Sequence, residues 1–249
     1  MMSFFNPTQI IYYLVHLIVF IIGVLLTFID GEYKEFYGAV GASLIAASIA
    51  GMIFYIYVKY AEDIRKKLQM IMKHGLHNVF GLRGLKMSSE YKTRLDNAKN
   101  NIDILGYGLN TFREEHLDNF ETWKAKCKVR VLLAKPNFPN DDINICNLRD
   151  KEEGNPDGSI KSEVLRFIDD VKGIIGDGNR GSFSIRYFKC IPSITIFRID
   201  DEILWGPYFV NKLNRDSPMF IVKKGGVLYE QILKQFEEIW HSTDFSEDI

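Results

Sequence analysis

Two apolar runs, residues 9–29 and 36–58, constrain this chain more than any other feature. Neither contains Asp, Glu, Lys or Arg, and only residues 30–35 separate them. A helix rises 1.5 Å per residue and a bilayer's hydrocarbon core is about 30 Å thick, so about 20 apolar residues make one span. Backbone polar groups in lipid must be satisfied within the segment, which demands continuous helix. A cleaved signal peptide is the alternative for the first run. That run lacks the basic flank and small-residue cleavage site of such a peptide, and the second run would still span. The expected organisation is a two-helix membrane hairpin over residues 1–58, a juxtamembrane connector over 59–87 and a folded domain over 88–249.

Charge predicts the orientation. Lys59, Arg65, Lys66, Lys67, Lys73, Arg83 and Lys86 follow the second run, opposed by Glu62 and Asp63. The short loop has Asp30, Glu32 and Glu35 against Lys34. Lys and Arg stay cytoplasmic during insertion, so the domain and both termini are expected on the cytoplasmic side of the inner (plasma) membrane. Cys127, Cys146 and Cys190 are an odd, scattered set without a CxxC pair. They fit a reducing compartment and argue against a disulfide framework or a structural zinc site. A net charge of −1 gives no bias toward nucleic acid, and no sequence-specific nucleic-acid partner is expected. The basic cluster reads as a topology signal in contact with membrane lipid headgroups.

The second run carries small residues at i+4 spacing: Gly38, Ala42, Ala46 and Ala50, and beside them Ala39, Ser43, Ala47 and Gly51. Such a stripe lets another helix backbone approach closely. It either seats the first span within one hairpin or joins hairpins into a homo-oligomer. His16, alone in the first run, reads as an interfacial residue. Neither run has a row of charges, which argues against an ion transporter.

Residues 59–85 read as a helical continuation ending in a glycine-dotted stretch. Then come a helix over 88–100, a strand over 102–108, a helix over 111–126 and a strand over 128–134. Residues 137–158 read as polar loop and 159–175 as helix. Strands follow over 182–188, 193–199, 202–210 and 217–222, then a helix over 227–241 and a frayed tail from 246. This order implies an α/β domain, a largely parallel or mixed sheet flanked by helices.

Ser193, Thr195 and Asp200 stand on one predicted strand, which turns at Asp200-Asp201-Glu202 and returns to Gly206-Pro207-Tyr208. This region resembles the signature hairpin of the phospholipase D superfamily, where the pattern is His-x-Lys-x4-Asp. Residues 101–134 are similar to the opening strand–helix–strand of that fold. The chain looks especially like a bacterial phospholipase-D-like group, through Arg198, Gly206, Ser217-Pro218 and the closing Phe236 to Trp240 helix. In that register Ser193 stands at the nucleophilic His position and Thr195 at the phosphate-binding Lys position; only Asp200 is kept. No histidine in the chain is followed by Lys two positions later. The reaction needs an imidazole nucleophile and a cation on the phosphoryl oxygens, so the resemblance implies a degenerate site with no catalytic residues. It also implies a surviving cleft for a nucleotide or phosphodiester ligand, lined by Tyr107, Ser193, Thr195, Arg198, Tyr208, Arg215 and Ser217.

Ser193 lacks the glycines of a nucleophile elbow, and Gly106-x-Gly108 falls short of a dinucleotide fingerprint. No cofactor or metal motif is present in the sequence. The expected function is a membrane-anchored sensor or effector whose domain binds a ligand or partner and biases the hairpin by population shift. That architecture is similar to bacterial membrane effectors of anti-phage defence. A membrane-bound phosphodiesterase (nuclease or phospholipase) and a membrane-tethered scaffold are the alternatives.

Overall fold

The computed structural model describes residues 7–81 and 84–249. It divides into two compact units, Met1–Met70 and Ile71–Ile249. In the first, α1 (Pro7–Thr27) and α2 (Lys34–Lys73) are long and apolar enough to cross a membrane. Ile11, Leu25 and Phe54 are among many apolar side chains left mostly exposed. A core helix of a soluble domain would bury that surface.

The two helices meet along glycines. A Cβ on Gly41 would lie 2.6 Å from the Gly23 carbonyl oxygen, and the His16 ring occupies the space where Gly51 would carry one. The Tyr12 hydroxyl donates to the Gly51 carbonyl (2.9 Å), and its ring stacks on both His16 and Tyr55 at 4.1 Å. His16 thereby packs the two helices together. Gly41 and Ser48 are buried and Gly51 half-buried, whereas Ala39, Ala42, Ser43, Ala46, Ala47 and Ala50 are exposed and Gly38 faces open space. The seat for α1 is therefore a different row from the small-residue stripe, and only Gly51 belongs to both.

In the second unit α2 stops at Lys73, and Gly75 takes the left-handed conformation (φ 89°) that closes it. The helix does not run on to residue 85. Instead β1 (Leu76–Phe80) pairs antiparallel with β8 (Met219–Lys223). Arg83 and the side chain of Lys86 lie outside the described residues.

The chain continues through α3 (Gly84–Asp96), β2 (Asn101–Leu105), α4 (Asn110–His116), α5 (Phe120–Lys126), β3 (Lys128–Ala134), α6 (Ile145–Glu153) and α7 (Ser159–Val171). After these come β4 (Gly176–Asp177), β5 (Ser182–Phe188), β6 (Ile194–Ile199), β7 (Glu202–Pro207), β8, α8 (Val227–His241) and β9 (Ser246–Asp248). The strand order is β1-β8-β7-β6-β2-β3-β5-β4, with β9 also on β5. Only β2–β3 and β3–β5 are parallel, so the sheet is mixed. On one face Phe197 meets Tyr91 and Phe112, and Phe120 bridges Phe183 and Phe167. Helix α8 covers the other face.

Three further elements depart from the sequence reading. The stretch taken as loop contains α6, capped by the Asn144 side chain accepting from the Asn147 N–H (2.8 Å) and closed by Gly154 at φ 74°. Few apolar residues mark it. Buried Asp150 holds it instead, accepting from the N–H groups of Gly158 and Ile160 (3.0 and 3.1 Å) at the start of α7. The single helix expected over 111–126 breaks at a 3₁₀ turn, Leu117–Asn119, between α4 and α5. The expected frayed tail is β9.

These directions bring the C-terminal ends of β2, β3, β5 and β7 to the same end of the sheet as the N-terminal ends of β6 and β8. The chain enters the sheet at the opposite end, where Leu76 pairs with Val222.

Candidate functional site

Most of the residues expected to line a cleft gather at that first end. Tyr107 follows β2, Ser193 precedes β6, Tyr208 follows β7 and Ser217 precedes β8, with Arg215 exposed in the connecting loop. Burial removes three of them from ligand contact, Tyr107 among them as part of the hydrophobic core. Thr195 is buried, and its hydroxyl donates to the Leu105 carbonyl (3.0 Å). Ser217 is fully buried, and its hydroxyl has no hydrogen-bond partner among the described residues. Ser193 is exposed and lines a cleft of about 220 Å³ with Gln231 and Gln235 of α8. Its carbonyl accepts from the Tyr208 N–H (3.0 Å). Among the described residues no imidazole is hydrogen-bonded to it.

Arg198, expected among the ligand residues, lies instead at the far end, as does the motif-position residue Asp200. Asp103 is directly opposite Arg130 on β3 and Arg198 on β6. Its carboxylate takes Arg130 Nε and Nη2 (2.6 and 2.9 Å) and Arg198 Nη1 (2.8 Å), fully buried. Glu237 of α8 closes the row on Arg130 (2.6 Å), beneath the Phe236 and Trp240 rings. Burial opposes charge on Arg130, but Glu237 and Asp103 outweigh it and hold its pKa up. Arg198 is thus part of an ion-paired core. Asp200 sits in the β6–β7 turn at φ 50°, and its carboxylate accepts from the N–H groups of Lys99, Asn100 and Asn101 (2.8, 2.8 and 2.9 Å). Asp200 thereby clamps the entry to β2.

Two residues at the first end escaped the sequence reading. Arg149 of α6, 1% exposed, lies 4.8 Å from the Tyr208 ring and 5.9 Å from that of Tyr107, and the two rings meet edge-on at 5.0 Å. Its guanidinium also holds the carbonyls of Phe209 and Lys212 (3.2 and 3.4 Å), fixing the β7–β8 loop. Burial, then the neighbouring Tyr208, keep the Tyr107 hydroxyl protonated far into alkali. Glu163 of α7 lies against Gly108, where any side chain would collide with its carboxylate. Both come from helices whose position only the fold shows, and nothing in their local pattern marks them.

Burial first, then Glu153, Asp150 and Glu114, raise the Glu163 pKa to about 7, against a lowering by Arg113. The folded domain therefore holds a proton that the unfolded chain releases near the usual carboxylate pKa. Stability falls as pH rises through that window, and the cost is complete above about 7. Glu163→Gln should raise stability at pH 8 by about 1–2 kcal/mol, discounted for partial exposure, and change little at pH 4. Thermal melts at the two pH values check this; an equal gain at both would remove the titration as the cause.

No protein family and no curated protein matches the chain. Among solved structures it is similar to TrmBL2, an archaeal chromatin protein with a novel mode of DNA binding, at 12% identity. That match covers 84% of this chain and 70% of the other, with a TM-score of 0.43. It is also similar to phosphatidylserine synthase from Haemophilus influenzae at 14% identity over 68% of this chain, with a TM-score of 0.45. The chain spans 38% of that synthase's length.

Proposed function

We propose that this chain is a membrane-anchored sensor or effector. In this reading a non-hydrolytic, phospholipase-D-like domain binds a ligand or partner at the loop-rich end of its sheet. The bound state biases a two-span hairpin that associates with other copies, in the manner of membrane effectors of anti-phage defence. The fate of the motif positions carries the reading. Thr195 is hydrogen-bonded into the sheet, Asp200 clamps a loop, and the cleft that Ser193 lines has neither base nor cation among its lining residues. A hydroxyl without a base is a poor nucleophile, and charge developing on a phosphoryl oxygen has no partner there. The cleft that the exposed Ser193 lines with Gln231 and Gln235 supports binding at the same end.

The purified full chain in detergent should turn over neither phosphodiester nor phospholipid substrates above background. Turnover abolished by Ser193→Ala would replace this reading with the phosphodiesterase one. The positive flank of the second helix supports a cytoplasmic domain. A reporter fused after Ile249 should then work only in the cytoplasm, and one inserted at Gly31 only outside.

A further inference from the structure

Strand β9 holds a second cluster at the loop-rich end. Glu247 lies opposite Tyr187 in the β5–β9 register and faces two lysines: Lys135 just past β3 pairs with it directly (2.7 Å), and Lys189 just past β5 stands 3.6 Å away while donating to the Thr243 carbonyl (2.8 Å). Both ammonium groups hold the Glu247 carboxyl below the usual range, Lys135 foremost. On the other face of the same strand Asp248 pairs with Arg186 (2.9 Å). A three-residue strand thus places two carboxylates on three cations at the tips of adjacent strands. The cluster adjoins the Tyr107–Tyr208 ring pair: the Lys135 N–H donates to the Phe188 carbonyl (3.1 Å), and the Phe188 ring meets Tyr107 at 5.6 Å.

We infer that Lys135 and Lys189 form an anion seat for a phosphate-bearing ligand, and that Glu247 is an internal carboxylate occupying it until the ligand arrives. The inference rests on the proposed binding role of this end and names the class of ligand. Three features favour displacement over a permanent lock. The Glu247 and Lys135 side chains are each about one-third exposed (36% and 33%), and ion pairs so exposed contribute little. Strand β9 spans only three residues and its anchor is the buried Ser246, hydrogen-bonded to Arg186, so residues 247 and 248 can peel from β5, opening the exposed Asp248–Arg186 pair, while the rest of the sheet stays folded. A phosphate carries up to two charges and three acceptor oxygens, against one charge and two oxygens on a carboxylate, so two lysines prefer it. The tethered carboxylate competes at an effective concentration on the order of millimolar. A singly charged ligand would therefore be a weak displacer.

The test uses the full chain in detergent micelles, titrated with inorganic phosphate against chloride at equal ionic strength. Hydrogen exchange at residues 247 and 248 reads the strand, and phosphorus NMR reads binding. Phosphate should speed exchange there, Glu247→Gln should tighten phosphate binding about tenfold, and a Lys135→Ala, Lys189→Ala double variant should bind none. Short-chain phosphatidic acid in the micelle is the second arm. A response to it without one to phosphate assigns the seat to a lipid headgroup, and a response to phosphate assigns it to a free phosphate. The inference is overturned if neither probe alters exchange and Glu247→Gln gains no affinity, or if binding survives loss of both lysines. Either result leaves the hydrolysis assay, and the reading it tests, untouched.

Discussion

Replacing Asp103 by alanine is expected to cost about 3–5 kcal/mol, a large part of the roughly 5–15 kcal/mol that holds a domain folded. The substitution strands Arg130 and Arg198 under α8 without the carboxylate that bonds both. Arg130 keeps Glu237, but Arg198 loses its carboxylate, and a desolvated guanidinium without its counter-charge is far more costly than the ion pair is favourable. Arg198→Ala should lose less, because Asp103 keeps both bonds to Arg130, and it should weaken the fold without a specific loss of ligand affinity. Replacing Asp103, Arg130 and Arg198 together with leucine and methionine should recover much of the loss. Trp123, Trp205 and Trp240 all lie in the second unit, so denaturant melts of the full chain followed by tryptophan fluorescence report on it alone. A shift below about 0.5 kcal/mol for Asp103→Ala, the range of a neutral surface change, would show the row to be dispensable.

The pair of long apolar helices yields the other large effect, because the structure separates the two rows of small residues on α2. Ala46→Leu and Ala47→Leu add bulk on the exposed stripe and leave the α1 seat alone. If copies associate through that stripe, either change should abolish the cross-linked ladder in native membranes at unchanged protein level, together with any growth arrest on overexpression. Gly51→Leu acts on the other row. Its side chain needs the space held by His16, so it should split the hairpin and reduce the protein level itself. Ladders that persist in Ala46→Leu and Ala47→Leu would leave α2 as a plain anchor.

The hairpin and the closing helix were legible because apolar runs and 3.6-residue periodicity need no partner to be recognised. The β6–β7 hairpin announced itself through the Asp200-Asp201 pair between two apolar strands, and the turn falls there. Strands β1 and β9 were not legible. Each is short and polar for a strand, and each exists because a neighbour supplies its hydrogen bonds. Helix α6 hides in a polar run because its cohesion comes from capping and from the buried charges Arg149 and Asp150.

The candidate site divides the same way. That no histidine is followed by lysine two positions later is a property of the residues themselves, and the sequence alone determined it, along with two apolar helices long enough to span and an α/β order of elements. What Arg198 does was decided only in three dimensions. Its counter-ion Asp103 lies 95 positions earlier, and Arg130, which shares that carboxylate, is 27 positions beyond Asp103. Register across three strands brings them into one row, and burial makes that row structural. A charge exposed in one register and sealed in another looks identical in the chain, because its worth depends on the dielectric and the partners around it.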